Sequence, residues 1–176
     1  MLITIVLSGV GGQGLISTGE LIGKAASIHE NIFATLTSSY GSEARGTFTK
    51  SDIIVSTESI SYPNIETPDI ILCLAQVAHD HYINKIQEHT LVFFDSEKVN
   101  PGDSVKGIHI GYNFRKMGIQ MGNAAVANTI ALGLIIEKTG VLRYESIAAA
   151  IRDHFSAKPE LVEINVKALD YGRSLA

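Results

Sequence analysis

A glycine-rich turn places the strongest constraint on what this chain can fold into. The segment SGVGGQG, from Ser8 to Gly14, directly follows the apolar run LITIVL. A buried strand, a turn of glycines and a helix form a common seat for a phosphate, because backbone N–H groups can approach an anion at the positive end of the helix dipole. Gly9, Gly11 and Gly14 match the spacing G-x-G-x-x-G, and Gly12 adds a further glycine. The sequence therefore predicts an anion-binding turn, with simple packing of the first helix on the sheet as the alternative.

The order of the remaining segments predicts an α/β fold. Apolar, β-branched runs predict strands at residues 3–8, 32–37, 46–56, 69–74, 91–94 and 106–110. Helical patterns follow at 15–27, 78–86, 122–138 (a buried helix ended by Gly140), 144–155 and 159–171. We expect a Rossmann-like three-layer sandwich, with a mostly parallel sheet and helices on both faces, formed by residues 1–176 as a single domain.

Composition excludes several classes of protein. The 176 residues include 14 Lys and Arg against 18 Asp and Glu, without a basic cluster, which argues against a nucleic-acid partner. The one cysteine, Cys73, cannot form an internal disulfide, an iron–sulfur site or a zinc site, and its apolar neighbours predict a small buried side chain. The apolar runs are too short for a signal peptide or a membrane span, so we expect a cytoplasmic protein without membrane contact.

A second candidate segment, SSYGSEARG, spans residues 38–46. It should leave the second strand at the carboxyl edge of the sheet, where it would share one crevice with the glycine turn. Arg45 offers a planar fork to a carboxylate or phosphate. The alternative is a solvated loop with a surface ion pair.

A dinucleotide site is weakened but not excluded. Such a site needs an acidic residue about 20 residues beyond the turn, at the end of the second strand. That strand ends in Thr37, Ser38, Ser39 and Tyr40, without an acid, although Arg45 could meet a 2′-phosphate.

The polar residues elsewhere predict neither a catalytic residue nor a metal site in this chain. His79 and His81 are two residues apart on a helix, so they point away from each other and are interpreted as part of a solvated face. Hydrolase motifs and a P-loop lysine are absent from the sequence. Gln76, Asn123 and Asn128 need partners, either backbone groups that they cap or a neighbouring subunit, and capping is expected for Asn123.

Several segments together resemble one family over nearly the whole chain. These are GVGGQG, SYGSEARG, IILCLAQ, MGNAAVANTIALG and INVKALDYG. In this order they resemble the gamma subunit of the 2-oxoacid:ferredoxin (acceptor) oxidoreductases, of the pyruvate/ketoisovalerate oxidoreductase domain type. Thr47 is a departure, since such proteins commonly carry a second glycine there.

The resemblance implies a subunit that is inactive alone. The family oxidatively decarboxylates a 2-oxoacid to an acyl-CoA in anaerobic metabolism and passes the electrons to ferredoxin. Thiamine diphosphate and iron–sulfur clusters would lie in companion alpha, beta and delta subunits, and this chain would stably bind no cofactor of its own. It would contact coenzyme A as substrate and pack on its partners. By residue-wise carry-over, the cofactor-binding residues would be Gly11, Gly12, Gln13 and Gly14 in the turn, and Ser39, Tyr40, Gly41, Glu43, Arg45 and Gly46 in the adjoining loop.

Two alternatives to the coenzyme A hypothesis stay open. One is a free-standing Rossmann-like module that binds NAD(P) or another nucleotide for regulation, and the other is a purely structural subunit whose turn contacts no ligand. The SYGSEARG form favours 2-oxoglutarate or a branched-chain acid over pyruvate, by resemblance. Stoichiometry, and a homodimer of the isolated chain, stay open as well.

Overall fold

A six-stranded sheet runs through the residues that the computed structural model describes, which are 1–39, 47–103 and 106–176. Its spatial order is β2-β3-β1-β4-β5-β6. The strands are β1 (Leu2–Val10), β2 (Phe33–Ser39), β3 (Phe48–Ser56), β4 (Ile70–Cys73), β5 (Leu91–Asp95) and β6 (Ile108–Tyr112). β1, β4, β5 and β6 are parallel to one another, whereas β3 is antiparallel to both β1 and β2. β2 therefore points in the same direction as β1, and the predicted mostly parallel sheet is confirmed.

The described helices agree with the predicted ones except near the chain centre. They are α1 (Leu15–Lys24), α2 (Gln76–Tyr82), α3 (Phe114–Gln120), α4 (Ala127–Thr139), α5 (Tyr144–His154) and α6 (Pro159–Arg173). α1 continues into a π-helical turn, and a 3₁₀ turn (Ala124–Val126) precedes α4. Gly140, at φ 62°, ends α4 as predicted. The sequence did not predict α3, and it placed β6 two residues too early.

The two faces of the sheet are covered unequally. Alternate strand residues such as Ile5 and Leu7 pack with α1 and α3–α6 in one large apolar cluster. The residues between them, such as Val6, join a smaller cluster with α2 and the following loop. This alternation follows from strand geometry, in which successive side chains point to opposite faces. Helices cover both faces, as the three-layer prediction requires.

Glycines allow α4 and α6 to pack backbone against backbone. A Cβ at Gly172 would collide with the carbonyl of Ile130, and one at Gly133 with that of Leu169. Residues 128–136 of α4 are all buried, which confirms the predicted buried helix. Within the described ranges, none of the helices is long and apolar enough to cross a bilayer.

The prediction that residues 79–81 form a solvated helix face is wrong for His79. Asp80 and His81 are exposed, but His79 is only 2% exposed. Its Nε2 lies 3.3 Å from Nε2 of His109 on β6. The reason is that α2 lies across the thinly covered face of the sheet, so one of its sides is turned toward the strands.

Candidate functional site

The glycine turn lies where the strand order of the sheet reverses. After β1 the chain proceeds through α1 to β2, toward one edge, and after β4 it proceeds through α2 to β5, toward the other. β1 and β4 are parallel neighbours, so a crevice opens beyond their carboxyl ends. Open α/β sheets place their ligands at this switch point.

The described residues that flank the second predicted segment lie at the same edge. Ser39 ends β2 on this edge, and Thr47, just before β3, accepts a hydrogen bond from the N–H of Gly11 at 3.1 Å. The structure therefore brings Ser39 and Thr47, the described residues on either side of this loop, to the side of the turn. The remaining predicted residues of this loop, Tyr40, Gly41, Glu43, Arg45 and Gly46, lie outside the described residues.

The side chain of Gln13 braces the turn from within. Its Oε1 accepts a hydrogen bond from the N–H of Val10 at 2.8 Å, and its Nε2 donates to the carbonyl of Leu74 at 2.9 Å. The end of β1 is thereby joined to the end of β4. Gln13 thus shapes the turn with its side chain, and its own N–H donates to the carbonyl of Val10.

The turn presents donors at the beginning of α1. Gly12 and Gly14 have φ values of 94° and 71°, a left-handed conformation that favours glycine. A side-chain cap is absent at Gly14, the N-cap of α1. Among the described residues, the N–H groups of Gly12, Gly14 and Leu15 have no hydrogen-bond partner. Such groups at a helix N-terminus are suited to an anion.

A cleft of about 280 Å³ opens beside the turn. It is lined by residues that follow four different parallel strands and by the segment before α4: Gly12, Gln13, Leu74, Asp95, Lys98, Arg115, Ala124, Ala125 and Ala127. The wall opposite the turn carries two exposed cations, Lys98 and Arg115. The uncapped N–H of Gly12 on one side and two cations on the other make the cleft suited to phosphate groups, and Gly14 lines a neighbouring pocket together with Asn128.

Asp95 is the buried acid of this cleft. One carboxylate oxygen accepts from the N–H of Glu97 at 3.0 Å and the other from the N–H of Arg115 at 2.8 Å. Each oxygen retains a lone pair, so the carboxylate can also accept a hydroxyl group of a sugar. Asp95 therefore positions the cationic wall and adds an acceptor to it.

Glu97 contacts Lys98 beside the cleft but leaves it available to a ligand. Hydrogen bonds from Asn113 and Lys98 hold the pKa of the Glu97 carboxyl below its usual range. Its contact with Lys98, at 3.3 Å, joins two side chains that are each 44% exposed. Exposed pairs of this kind are weak because solvent screens them, so a bound phosphate can compete for Lys98.

Sequence reasoning missed Lys98 and Arg115. Arg115 belongs to the unpredicted helix α3, and Lys98 to a turn after β5. The sequence did contain a signal for them. Both cations follow a predicted strand by a few residues, and the carboxyl ends of parallel strands lie at the same edge of the sheet.

Cys73 is a buried side chain, as predicted. It is completely buried, and burial raises the pKa of its thiol to about 12. A thiol of this kind is inert as a nucleophile. Among the described residues, no group of three or more His, Cys, Asp or Glu side chains could hold a metal ion.

The amide side chains find partners within the chain. Asn123 caps the 3₁₀ turn by accepting from the N–H of Ala125, which confirms its predicted role. Gln76 exchanges hydrogen bonds with the backbone of Asn100. The Nδ2 of Asn128 contacts the carbonyls of Gln13 and Gly14.

Comparison with known proteins defines the class to which this α/β fold and cleft belong. The model of the pyruvate ferredoxin/flavodoxin oxidoreductase family matches residues 4–175. The 2-oxoglutarate synthase subunit KorC of Methanocaldococcus jannaschii is 36% identical over 176 residues, which cover 98% of this chain and 92% of that protein. The chain belongs to the pyruvate ferredoxin/flavodoxin oxidoreductase family.

Solved structures show the same fold and specify the subunit. The gamma subunit of keto/oxoacid ferredoxin oxidoreductase from Geobacter sulfurreducens has a TM-score of 0.83 at 33% identity, covering 97% of this chain and 95% of that one. The 2-oxoglutarate:ferredoxin oxidoreductase of Magnetococcus marinus has a TM-score of 0.91 at 21% identity, and the match covers 99% of this chain but 31% of that one. The predicted resemblance is confirmed: the chain is a gamma-type subunit of an oxidoreductase of this family.

Proposed function

We propose that this subunit contributes the surface that holds the phosphate-bearing end of coenzyme A in a 2-oxoacid:ferredoxin oxidoreductase. The observation that carries the proposal is the cleft at the switch point, where the turn faces Lys98 and Arg115. Coenzyme A is a polyanion, and its three phosphate groups suit both walls of such a cleft. The Magnetococcus marinus enzyme of the same fold was solved with coenzyme A bound, which supports the choice of ligand.

The turn and the two cations have separate roles in this proposal. The N–H groups of Gly12 and Gly14 donate to one phosphate, while Lys98 and Arg115 meet the charge of another. Gly11 and Gln13 shape the turn, because their N–H groups already donate to Thr47 and Val10. Asp95 accepts from the ribose.

We extend the proposal to residues 39–46. Ser39 and the flanking Thr47 lie on the edge of the sheet that carries the turn. We assign Ser39, Tyr40, Gly41, Glu43, Arg45 and Gly46 to the coenzyme A contact. A cleft of about 280 Å³ is at the small end of ligand sites, so it can hold only part of so large a molecule. The rest of the ligand then lies against partner subunits.

The redox chemistry belongs to those partners. The chain contains one cysteine, which is buried, so its residues do not fit an iron–sulfur cluster. We assign thiamine diphosphate and the clusters to alpha, beta and delta subunits of a cytoplasmic complex that passes electrons to ferredoxin. The name of the Methanocaldococcus jannaschii relative supports 2-oxoglutarate as the substrate, and comparison of 2-oxoglutarate, 2-ketoisovalerate and pyruvate turnover by the complex tests that assignment.

Hydrogen exchange of the assembled complex, with and without coenzyme A, tests the proposal. We expect slower exchange at residues 11–16, 96–99 and 113–117 when coenzyme A is present, because these backbone segments surround the cleft. Residues 83–89, which precede β5 at the opposite edge of the sheet, serve as the internal control. Unchanged exchange in the first three segments, with protection elsewhere in the complex, would remove this subunit from the coenzyme A site. Tight NAD(P) binding by the isolated chain would instead favour a nucleotide-binding module.

A further inference from the structure

Two successive carbonyl groups of the glycine turn are held by one side chain of α4. The Nδ2 of Asn128 lies 3.2 Å from the carbonyl oxygen of Gln13 and 3.2 Å from that of Gly14. Asn128 is only 8% exposed and lies more than 100 residues from the turn in sequence. A buried amide with this pair of partners fixes the orientation of two adjacent peptide groups.

Because peptide groups are planar, these two hydrogen bonds also determine the direction in which the following N–H groups point. In a trans peptide the C=O and the following N–H point in opposite directions. A carbonyl of Gln13 turned toward Asn128 therefore directs the N–H of Gly14 away from α4. The same relation directs the N–H of Leu15, and these two N–H groups have no partner among the described residues.

A second set of buried groups determines which way the Asn128 amide faces. The Oγ1 of Thr129 lies 3.2 Å from Oδ1 of Asn128 and 2.8 Å from Oδ1 of Asn165. The Nδ2 of Asn165 donates to the carbonyl of Leu161 at 2.8 Å, which orients its own amide. The single hydroxyl proton of Thr129 is shared between the two amide oxygens, so the nitrogen of Asn128 is left facing the turn.

Gly14 is adapted to this contact. A Cβ at position 14 would collide with Nδ2 of Asn128, and the φ of 71° also disfavours a side chain. The turn and Asn128 therefore depend on each other. A residue with this arrangement acts on the ligand through the backbone and not by touching it.

We propose that Asn128 is a positioning residue that aims the N–H groups of Gly14 and Leu15 at an anionic group of the ligand. This inference rests on the proposed function, since it takes the phosphate end of coenzyme A as that ligand. The Thr129–Asn165 pair supports Asn128 from α4 and α6.

Steady-state kinetics of the assembled complex test the role of Asn128. Asn128→Leu keeps the number and branching of the side-chain heavy atoms but removes both N–H donors without adding charge. We expect a rise of about tenfold in KM for coenzyme A, equivalent to about 1.4 kcal/mol. The KM for the 2-oxoacid and kcat should stay unchanged. Thr129→Val, which only frees the amide to rotate, should give a smaller rise in the same parameter.

The controls separate this inference from the proposed function. Thr139→Ala removes a half-buried hydroxyl at the far end of α4, where Oγ1 donates to the carbonyl of Ile135, and should change neither KM. If Arg115→Ala raises KM for coenzyme A but Asn128→Leu and Thr129→Val do not, Asn128 has no positioning role and the proposed function stands. If Arg115→Ala also has no effect, the proposed function fails. Equal increases in both KM values with a lower Tm would show a purely structural role and overturn the inference.

Discussion

The backbone N–H of Arg115 donates to the carboxylate of Asp95 over 2.8 Å, and this contact joins the end of β5 to the beginning of α3. Asp95 is 2% exposed, whereas the side chain of Arg115 is exposed at the cleft. A buried acid at a helix N-terminus is favoured by the helix dipole. The same contact fixes the position of the Arg115 backbone, and therefore the region that its guanidinium can reach. It links the fold directly to the site.

Removal of the Asp95 carboxylate should lower both stability and coenzyme A affinity. Asp95→Ala leaves the N–H groups of Glu97 and Arg115 without their acceptor, at a cost of about 1–3 kcal/mol in the free energy of unfolding. Urea unfolding of the chain and KM for coenzyme A in the complex measure the two effects. Asn113→Ala is the matched control, because Asn113 caps the same helix through Lys116 but does not line the cleft. It should lower stability by about 1 kcal/mol and leave KM unchanged. An effect of Asp95→Ala no larger than the control on either quantity would contradict the assigned role.

Alanine substitutions at two glycines of α1, one at its N-cap and one near its end, should change the stability in opposite directions. Gly14→Ala forces a Cβ into a left-handed residue and against Asn128, so the free energy of unfolding should fall by about 2 kcal/mol or more. Gly23 lies within the helix, and a Cβ there would contact no other atom. Gly23→Ala should therefore raise the free energy of unfolding by about 0.5–1 kcal/mol. Denaturant unfolding of the two variants measures both shifts. Similar shifts of the same sign would show that the turn geometry is described wrongly.

The histidine pair predicts a loss of stability in mild acid. Burial lowers the pKa of His109, and the neighbouring His79 lowers it further, while a backbone hydrogen bond at Gly107 opposes the shift. In the unfolded chain His109 is protonated near the ordinary histidine pKa, about 6.5. In the folded chain it is protonated only at lower pH. Stability should therefore be intact above that pKa and fall as the pH is lowered through it. Urea unfolding at about pH 7.5 and about pH 5.5 measures the loss, which His109→Gln should reduce. An equal loss in both proteins would contradict the assignment.

Periodicity was sufficient for the elements that are long or strongly apolar. The glycine turn, the buried helix ended by Gly140 and the closing helix α6 follow directly from the sequence. The direction of β3 did not, because a strand paired between β1 and β2 has the same local pattern whichever way it runs. Helix α3 was not predicted, because seven residues are too few to show a clear helical period in the apolar positions.

The cationic wall of the cleft was missed in the sequence for a different reason. Lys98 lies in the turn after β5 and Arg115 in helix α3 after β6, and only the parallel pairing of these two strands brings both residues to one crevice with Gly12. His79 was misassigned because the spacing of residues along a helix does not reveal which side meets the sheet. Local pattern predicted the turn, whereas the opposite wall required the topology.

KM for coenzyme A in the assembled complex, compared between Arg115→Ala and Lys116→Ala, tests the central claim most directly. Both substitutions remove one exposed cation from adjacent positions of α3, but only Arg115 lines the cleft. The account predicts a rise of about tenfold or more for Arg115→Ala, or about 1.4 kcal/mol, with KM for the 2-oxoacid unchanged and Lys116→Ala indistinguishable from wild type. Equal KM values for coenzyme A in both variants and the wild type would contradict it.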